Sequence, residues 1–371
     1  MTLTHRVGAA LAACLVMASA VAQSPAPAPA PAVVLEVQAP DALRTLLEQH
    51  LDLARLQRLG DGAQLDDTEW ARLVGAAPAQ ARELLQTEGY FSAQVTVQRT
   101  PGRPQRVRLV VEPGVQTTVG RFDLVTEGEL DRRAGAQPAD DDARALLAEL
   151  RASWPLKAGS AFRNDDWSQA KTQLLARLRA AGYASAAFSG TAADVDAEAG
   201  RVRLYLVADS GPLYLAGEVA IEGLAAHGAE SVRNQAGFAA GAPLTEARLL
   251  DYQERLVKLG LFDSASVSFE PDPARAAATP VQVRVRELPL RQLTLGVGVS
   301  ANTGPRVSAE YTHRRPFERA AIVHNKIEWG RDRRVWSGEL SGLPNARFQR
   351  NLVGVQYEYL VGDSDTVTTQ R

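Results

Sequence analysis

The feature that most constrains this chain is a strict alternation of side chains in its C-terminal part, from Arg291 onward. Residues 293–300 read Leu-Thr-Leu-Gly-Val-Gly-Val-Ser, so every second residue is apolar. Successive side chains of a β-strand point to opposite faces, which places the four apolar residues on one face. The alternation recurs at 307–312 and 353–361. Strands with an apolar outer face, a polar inner face and aromatic residues near their ends are typical of a transmembrane β-barrel.

A soluble antiparallel sheet with one solvated face gives the same alternation, so this pattern alone leaves both structures open. The formal net charge of −2 indicates no large charged field that would attract nucleic acid. Charged residues make up 23% of the chain and hydrophobic residues 45%, which fits globular domains and disfavours a helical membrane protein. The rest of the chain favours the barrel.

The N-terminus has the pattern of a secretory signal peptide. His5 and Arg6 form a short basic segment, and 7–21 is made of apolar and small residues. An Ala-Val-Ala cleavage motif ends at Ala22, which predicts a signal over 1–22. The apolar run is too short for a transmembrane helix, which needs about 20 residues.

The only cysteine, Cys14, lies within this predicted signal, so the mature chain would have no disulfide and no Cys-bound metal. Residues 11–14 also resemble a bacterial lipobox, and a lipidated Cys14 stays open as the alternative. The segment 23–32 alternates Pro with Ala, which favours an extended polyproline II spacer.

One small unit is repeated three times between about 33 and 287. In each repeat a Leu-bearing helix stops at a glycine, and two short strands follow. The stop glycines Gly89, Gly182 and Gly260 fit helix C-caps. Each unit also opens with a strand and an earlier helix, so the predicted order is β-α-α-β-β. Two helices can cover one face of a three-stranded sheet, which predicts small α+β domains.

For the helices that end at Gly182 and Gly260, the sequence also predicts the first residue and the face that packs against the sheet. The helix of the second unit is expected to begin with Asn164 or Asp165 as its N-cap, and that of the third unit at Thr245. Their predicted packed faces are Ala170, Leu174, Leu175 and Leu178 in the second unit, and Leu249, Gln253, Leu256 and Val257 in the third.

Strand-helix-helix-strand-strand units of this size resemble polypeptide-transport-associated (POTRA) domains. Three of them behind a signal peptide and ahead of barrel strands resemble the TamA family, within the BamA/TamA-type superfamily of barrel assembly proteins. The most specific match is Gly296-Val297-Gly298-Val299-Ser300 followed by Gly304-Pro305-Arg306-Val307, which is similar to that family's first barrel strand and hairpin. The predicted domains are a signal peptide (1–22), a linker (23–32), three POTRA-like domains (33–115, 116–212 and 213–288) and the N-terminal part of an outer-membrane β-barrel (289–371).

The resemblance implies a protein of the cell outer membrane, in contact with its lipid, with the POTRA domains in the periplasm. It implies a role in inserting or translocating β-barrel proteins such as autotransporters, so unfolded outer-membrane proteins would be its clients. It also implies a periplasm-spanning, TamB-like partner that docks on the first repeat. No cofactor, metal or nucleic acid is expected.

The barrel part departs from the family in its length. The residues after Pro289 supply five strands and the start of a sixth, whereas the smallest barrels have about 8 strands and the family resemblance implies sixteen. The chain ends at Thr369-Gln370-Arg371 rather than at an aromatic residue, and the Arg-Gly motif of the family's late barrel loop is absent. We therefore expect the sequence to be C-terminally truncated.

Two sets of residues are candidates for handling unfolded strands. Exposed strand edges can pair with an incoming chain through backbone hydrogen bonds, with little demand on its sequence. The strands after the first and third stop glycines supply the client-pairing candidates Ala93, Val95, Val97, Ala265, Val267 and Phe269.

The second set is the first barrel strand, with Leu293, Leu295, Gly296, Val297, Gly298 and Val299. The family's gate lies at this strand, and glycine weakens a strand because it adds no packing. The alternative, that the glycines only make room in the lumen, stays open.

No catalytic site emerges from the sequence, and a non-enzymatic protein is expected. His50 lies beside leucines on a helix face, which predicts a packed structural histidine. The acidic run 140–142 precedes a helix, where acidic residues stabilise the N-terminal dipole, and this explanation is preferred to a Ca²⁺ site. The arginines at 314–315 and 331–334 form a predicted basic cluster near strand ends that faces either lipid head groups or solvent.

Two other functions compete with barrel assembly. A two-partner-type secretion pore would resemble this architecture, but such pores have two repeats and this chain has three. A soluble periplasmic protein-binding module would follow if the chain is complete, and it would be extracted from cells without detergent. An enzyme is the least supported alternative.

Overall fold

A computed structural model describes residues 33–59, 67–100, 105–138, 140–300, 304–331, 333–361 and 366–370. The predicted signal peptide at 1–22, its Cys14 and the linker at 23–32 lie outside the described residues. The chain divides into two compact units, one of residues up to Gly114 except 87–89, the other of 87–89 and 115–371. None of the helices in the described ranges has the length and apolar character needed to cross a membrane.

The first unit packs three helices against a three-stranded sheet. Its elements are β1 (Val33–Gln38), α1 (Asp41–His50), α2 (Asp52–Leu59), α3 (Asp67–Thr87), β2 (Gln94–Thr100) and β3 (Gln105–Glu112). The strand order is β1-β3-β2, with β1 parallel and β2 antiparallel to β3. Leu47, Leu85 and Leu109 are fully buried in its core. The predicted order is confirmed with one added helix, α2.

His50 is exposed, so the prediction that it packs in the core is wrong. The reason is its position as the last residue of α1, where the backbone leaves the helix. The next residue, Leu51, takes an extended conformation and fills the core position instead, with none of its surface exposed.

The next repeat has the same sheet topology. Its elements are β4 (Thr118–Glu127), α4 (Glu129–Gly135), α5 (Asp141–Ala152), α6 (Asn164–Ala180), β5 (Ala187–Asp196) and β6 (Arg201–Asp209), and its strand order is β4-β6-β5. Leu174 and Leu178 of α6 are buried as predicted. The predicted N-cap is wrong by one or two residues: Arg163 holds that position and makes no side-chain capping bond. Asn164 and Asp165 lie in the first turn, where a carboxylate still opposes the helix dipole.

The acidic run at 140–142 lies at the N-terminus of α5, as predicted, with Asp140 as the N-cap and Asp141 and Asp142 in the first turn. The Asp140 side chain accepts hydrogen bonds from the Ala143 amide at 3.0 Å and from Arg133 Nη2 at 2.5 Å. The Ala143 amide first, and then Arg133, hold the pKa of the Asp140 carboxyl below its usual range, because both bonds favour the charged form.

The third repeat has β7 (Ala216–Glu222), α7 (Ala229–Arg233), α8 (Glu246–Lys258), β8 (Phe262–Phe269) and β9 (Thr279–Glu287), in the strand order β7-β9-β8. Thr245 caps α8 as predicted, accepting a hydrogen bond from the Arg248 amide. The packed face of α8 is centred on Tyr252 and Leu256, which are fully buried. Val257 is 47% exposed, so its predicted packing is wrong, because the buried pair turns it away from the sheet.

The C-terminal part is a six-stranded antiparallel sheet in chain order. Its strands are β10 (Arg291–Ser300), β11 (Gly304–His313), β12 (Ala321–Gly330), β13 (Arg333–Gly342), β14 (Leu352–Val361) and β15 (Thr366–Gln370). The five predicted strands and the start of a sixth are confirmed. The fold class, POTRA-like α+β repeats followed by antiparallel strands of a barrel type, is confirmed as well.

Candidate functional site

The client-pairing candidates lie on edge strands. Within the described residues, β2 and β8 each pair on one side only, with β3 and β9. Val95 is buried and Val97 is half-buried on β2, and Ala93, which immediately precedes that strand, is buried. On β8 the three candidates Ala265, Val267 and Phe269 are half-buried. Because these side chains pack inward, the surface left for an incoming strand is the backbone edge, and a pairing role stays a prediction.

The first strand of the C-terminal sheet turns its apolar side outward. The exposed fractions are 62% for Leu293, 72% for Leu295, 88% for Val297 and 85% for Val299. Among the described residues no element covers this face. Exposed leucine and valine in a continuous row are costly in water, so this face is suited to a lipid environment.

The two glycines of β10 lie on the opposite face, against side chains of β11. A Cβ on Gly296 would come within 2.6 Å of Ser308 Oγ, and one on Gly298 within 3.4 Å of Arg306 Nε. Each glycine is the register partner of the residue it faces. This geometry supports the interpretation that the glycines make room, and it leaves the gate role as a proposal.

The inner face of the same sheet carries paired charges. Arg333 Nε lies 2.6 Å from Glu358 Oε1, and Glu328 Oε1 lies 3.8 Å from Arg333 Nη1 and 3.6 Å from Arg306 Nη1. Charges therefore face one side of the sheet and an apolar row faces the other. This distribution is that of a barrel with a polar lumen and a lipid-facing exterior.

The predicted basic cluster is wrong, because the structure separates it into two groups at opposite ends of the sheet. Arg314 and Arg315 follow β11 at the end nearest the third repeat, whereas Arg331, Arg333 and Arg334 lie at the far end. An antiparallel strand of ten residues accounts for the separation, since it spans about 30 Å.

Arg314 joins the sheet to the third repeat. It is only 8% exposed and donates hydrogen bonds to the carbonyl oxygens of Gly260 and Pro289, both at 2.8 Å, and to Gln292 Oε1 at 3.0 Å. All three acceptors are neutral, and burial lowers the pKa of its guanidinium. The sequence pattern did not predict this role, although two consecutive arginines directly after a strand are a visible signal.

A second contact clamps the loop after β7. Arg315 Nη1 donates a hydrogen bond to the Ala226 carbonyl at 2.7 Å. The Glu287 carboxylate accepts hydrogen bonds from the amides of Ala225, Ala226 and His227 at 2.9 to 3.2 Å. Burial acts to raise the pKa of Glu287, but the three amide bonds outweigh it and hold that pKa below its usual range. Arg314 and Arg315, which directly follow β11, thus fix the sheet to the third repeat, and Glu287 holds the loop that Arg315 contacts.

Comparison with solved structures identifies the fold. BamA from Haemophilus ducreyi lacking POTRA domains 1–3 is similar with a TM-score of 0.51 and 16% identity, over 67% of this chain and 44% of that chain. This chain has the fold of BamA. It spans less than half the length of that BamA chain.

Two further structures give weaker similarity. The POTRA3–5 region of Haemophilus influenzae BamA has a TM-score of 0.37 and 18% identity, over 68% of this chain and 94% of that chain. CdiB from Acinetobacter baumannii has a TM-score of 0.37 and 13% identity, over 80% of this chain and 54% of that chain. The fold assignment rests on the first comparison. No family model matches the sequence, and no curated protein matches it significantly.

Proposed function

We propose that this protein is a non-enzymatic assembly factor of the outer membrane that inserts or translocates β-barrel proteins, autotransporters among them. One observation carries the proposal: three helix-backed sheets with edge strands lead directly into a sheet whose apolar face is exposed. The repeats would lie in the periplasm and the C-terminal sheet in the membrane. A TamB-like periplasm-spanning protein is the proposed partner of the first repeat.

The proposed chemistry is strand addition. An unfolded client strand pairs with the edge of β8, which offers backbone donors and acceptors at every second residue. The client would replace the 3.4 Å bond that the Val267 amide donates to Gln253 Oε1. Each bond formed contributes about 0.5–1.5 kcal/mol net, so several residues are held without a fixed sequence. Arg314 fixes the third repeat against the sheet, so a strand held on β8 stays close to the membrane end of the molecule.

Site-specific crosslinking tests the strand addition. Ser266 of edge strand β8 and Arg284 of central strand β9 are register partners. A cysteine at each therefore lies at the same level along the strands, once on the edge strand and once on the strand behind it. Adjacent strands lie about 4.8 Å apart, which puts a client strand one spacing from position 266 and two from 284. With the native Cys14 in the predicted signal, each introduced cysteine would be the single thiol of the mature chain.

We expect S266C to crosslink to a client of unfolded barrel strands at every second client residue, and R284C to crosslink several-fold less. Equal crosslinking at the two positions, or crosslinking to consecutive client residues, would contradict strand addition at β8.

The proposed gate, an opening of the barrel at β10, has its own test. Gly296→Val places a side chain against Ser308, and Ser308→Gly removes the obstacle. If Gly296 serves the gate by weakening β10 so that the strand can separate, assembly activity falls in G296V and stays low in the double variant. Recovery in G296V/S308G would instead show that the glycine only makes room, and the gate role would be lost.

A further inference from the structure

The outer face of the C-terminal sheet carries one arginine that the barrel architecture does not explain. Arg334 is exposed on the apolar face, at the start of β13. Its guanidinium carbon lies 4.2 Å from the ring centroid of Trp329 and 5.7 Å from that of Tyr359. These two aromatic residues are its register partners on the neighbouring strands, so three adjacent strands build the arrangement.

The neighbouring arginine shows what is unusual about Arg334. Arg333 points to the opposite face and is neutralised there by Glu358 and Glu328. Arg334 forms no ion pair with any described residue, and its described partners are the two aromatic faces. A guanidinium held over aromatic rings keeps its N–H donors free for an anion that lies in the plane of the guanidinium.

The site includes a cavity as well as a charge. A shallow cavity of about 370 Å³ is lined on this face by aromatic and aliphatic side chains together with the arginine. The lining residues are Ile327, Glu328, Trp329, Arg334, Val335, Trp336, Tyr357 and Tyr359. Strand alternation turns the side chains of Glu328 and Val335 to the opposite face of the sheet, where Glu328 faces Arg333 and Arg306. Such a surface accepts an apolar chain beside a negatively charged group.

The position of the site selects its occupant. The opposite end of the sheet contacts the third repeat, where Gln235 Nε2 donates to the Pro344 carbonyl in the loop after β13. Arg334 therefore lies at the far end of the sheet, where the row of lipid-facing residues ends in tryptophan and tyrosine. Aromatic belts of this kind lie at the level of the lipid head groups.

We propose that Arg334 with Trp329 and Tyr359 binds the phosphate of an anionic lipid in the leaflet opposite the repeats, with the lipid's acyl chain along Ile327 and Trp336. The inference rests on the proposed membrane location. It adds a lipid-specific anchor two strands away from the proposed gate strand β10, since Trp329 on β12 is also the register partner of Val307 on β11.

Quenching of tryptophan fluorescence by brominated lipids tests the proposal on the full chain. Trp329 and Trp336 are 54% and 41% exposed on the outer face, while Trp154 and Trp167 are buried in the second repeat. The protein is reconstituted in vesicles of phosphatidylcholine that contain either brominated phosphatidylglycerol or brominated phosphatidylcholine. We expect stronger quenching by the anionic lipid, with a preference of about fivefold, the effect of one cation near an anionic membrane surface.

The variants separate the site from general membrane charge. Arg334→Gln should abolish the preference, Arg334→Lys should keep part of it, and Arg333→Gln, on the other face, should leave it unchanged. Equal quenching by both lipids in the unaltered protein, or a preference that survives R334Q, would overturn the lipid site.

Two further outcomes are informative. Inorganic phosphate at millimolar concentration should not compete with the brominated lipid, and competition would overturn the lipid as occupant in favour of free phosphate. A protein that inserts into neither vesicle would refute the proposed membrane location as well. A protein that inserts without lipid preference would refute the lipid site alone.

Discussion

Strands β6 and β10 have the same period-two pattern and opposite environments. In β6, Val202, Leu204 and Leu206 are at most 1% exposed. In β10, Leu295 and Val297 are 72% and 88% exposed. The apolar row is therefore buried in the second repeat and turned outward in the C-terminal sheet.

The two environments differ because the strands of the two regions are connected by different elements. Helices α4, α5 and α6 separate the first strand of the second repeat from the hairpin that follows, and they supply buried leucines to the core on that side of the sheet. The described connections in the C-terminal sheet are turns and one short 3-10 helix at Pro316–Glu318. Alternation therefore reports which residues share a face, while the presence of a helix decides whether that face is covered by protein or left exposed.

The largest expected effect comes from one substitution made in both regions. Leu204→Arg places an unpaired charge in the core of the second repeat and should cost more than about 4 kcal/mol, enough to unfold it. Leu295→Arg should leave the repeats folded and cost about 2–4 kcal/mol of membrane insertion. Near-ultraviolet circular dichroism reports the buried Trp154 and Trp167, and retention in alkali-washed membranes reports insertion. If L295R lost the tryptophan signal as L204R does, the proposed contrast between the strands would be wrong.

The second prediction concerns the junction of the two regions. Arg314→Ala removes the buried donor that serves three acceptors, and because bonds to a charged group contribute about 1.5–3 kcal/mol, the third repeat should loosen from the sheet. Hydrogen exchange at Gly260 and around 288–292 measures this directly. Arg314→Lys should rescue little, since an ammonium cannot reproduce the geometry of the guanidinium. Arg315→Ala, which loses one bond, is the matched control, and an equal effect of R314A and R315A would contradict a special role for Arg314.

Much of the contrast between the repeats and the C-terminal sheet follows from the sequence, because helix ends and strand faces depend on residues close together in the chain. Gly182 and Gly260 end their helices with φ angles of 103° and 70°, as a left-handed C-cap requires. The alternation placed the β10 residues on the correct faces, and Thr245 capped its helix. These features need only neighbours within a few residues.

The rest depends on contacts between distant residues. Arg314 finds its acceptor Gly260 at a separation of 54 residues, and Arg334 meets Tyr359 only through the strand register. Val257 was misplaced for the same reason, since the rotation of a helix about its axis is decided by what packs against it, whereas His50 was misplaced because α1 ends at that residue. The sequence pattern therefore predicted the elements and their faces, but not the junction or the outward-facing arginine.

The third prediction is a smaller effect confined to the buried region. Asp140→Ala should destabilise the second repeat by about 1 kcal/mol through loss of the α5 cap. Asp140→Asn, which still caps, should recover most of this. Because the pKa of Asp140 is lowered on folding, its contribution is present above its ordinary pKa and is lost as pH falls through the lower value of the folded state. Thermal unfolding followed between neutral and acidic pH should show this loss in the unaltered protein and not in D140A; an identical pH profile for both would contradict it.

The smallest expected change in stability tests whether the charged face of the C-terminal sheet is in contact with water. Glu358→Gln weakens the 2.6 Å pair with Arg333, yet Glu328 remains within 3.8 Å of that arginine. A water-filled lumen should limit the loss to about 0.2–1 kcal/mol, and salt should screen it. The exposed pair Glu222 and Arg284 in the third repeat is the matched control, so E222Q should have an effect near zero. Chemical denaturation at low and high salt compares them. A cost for E358Q that is large and independent of salt would mean that the charged face is dry, and the sheet would then be closed around protein rather than around a lumen.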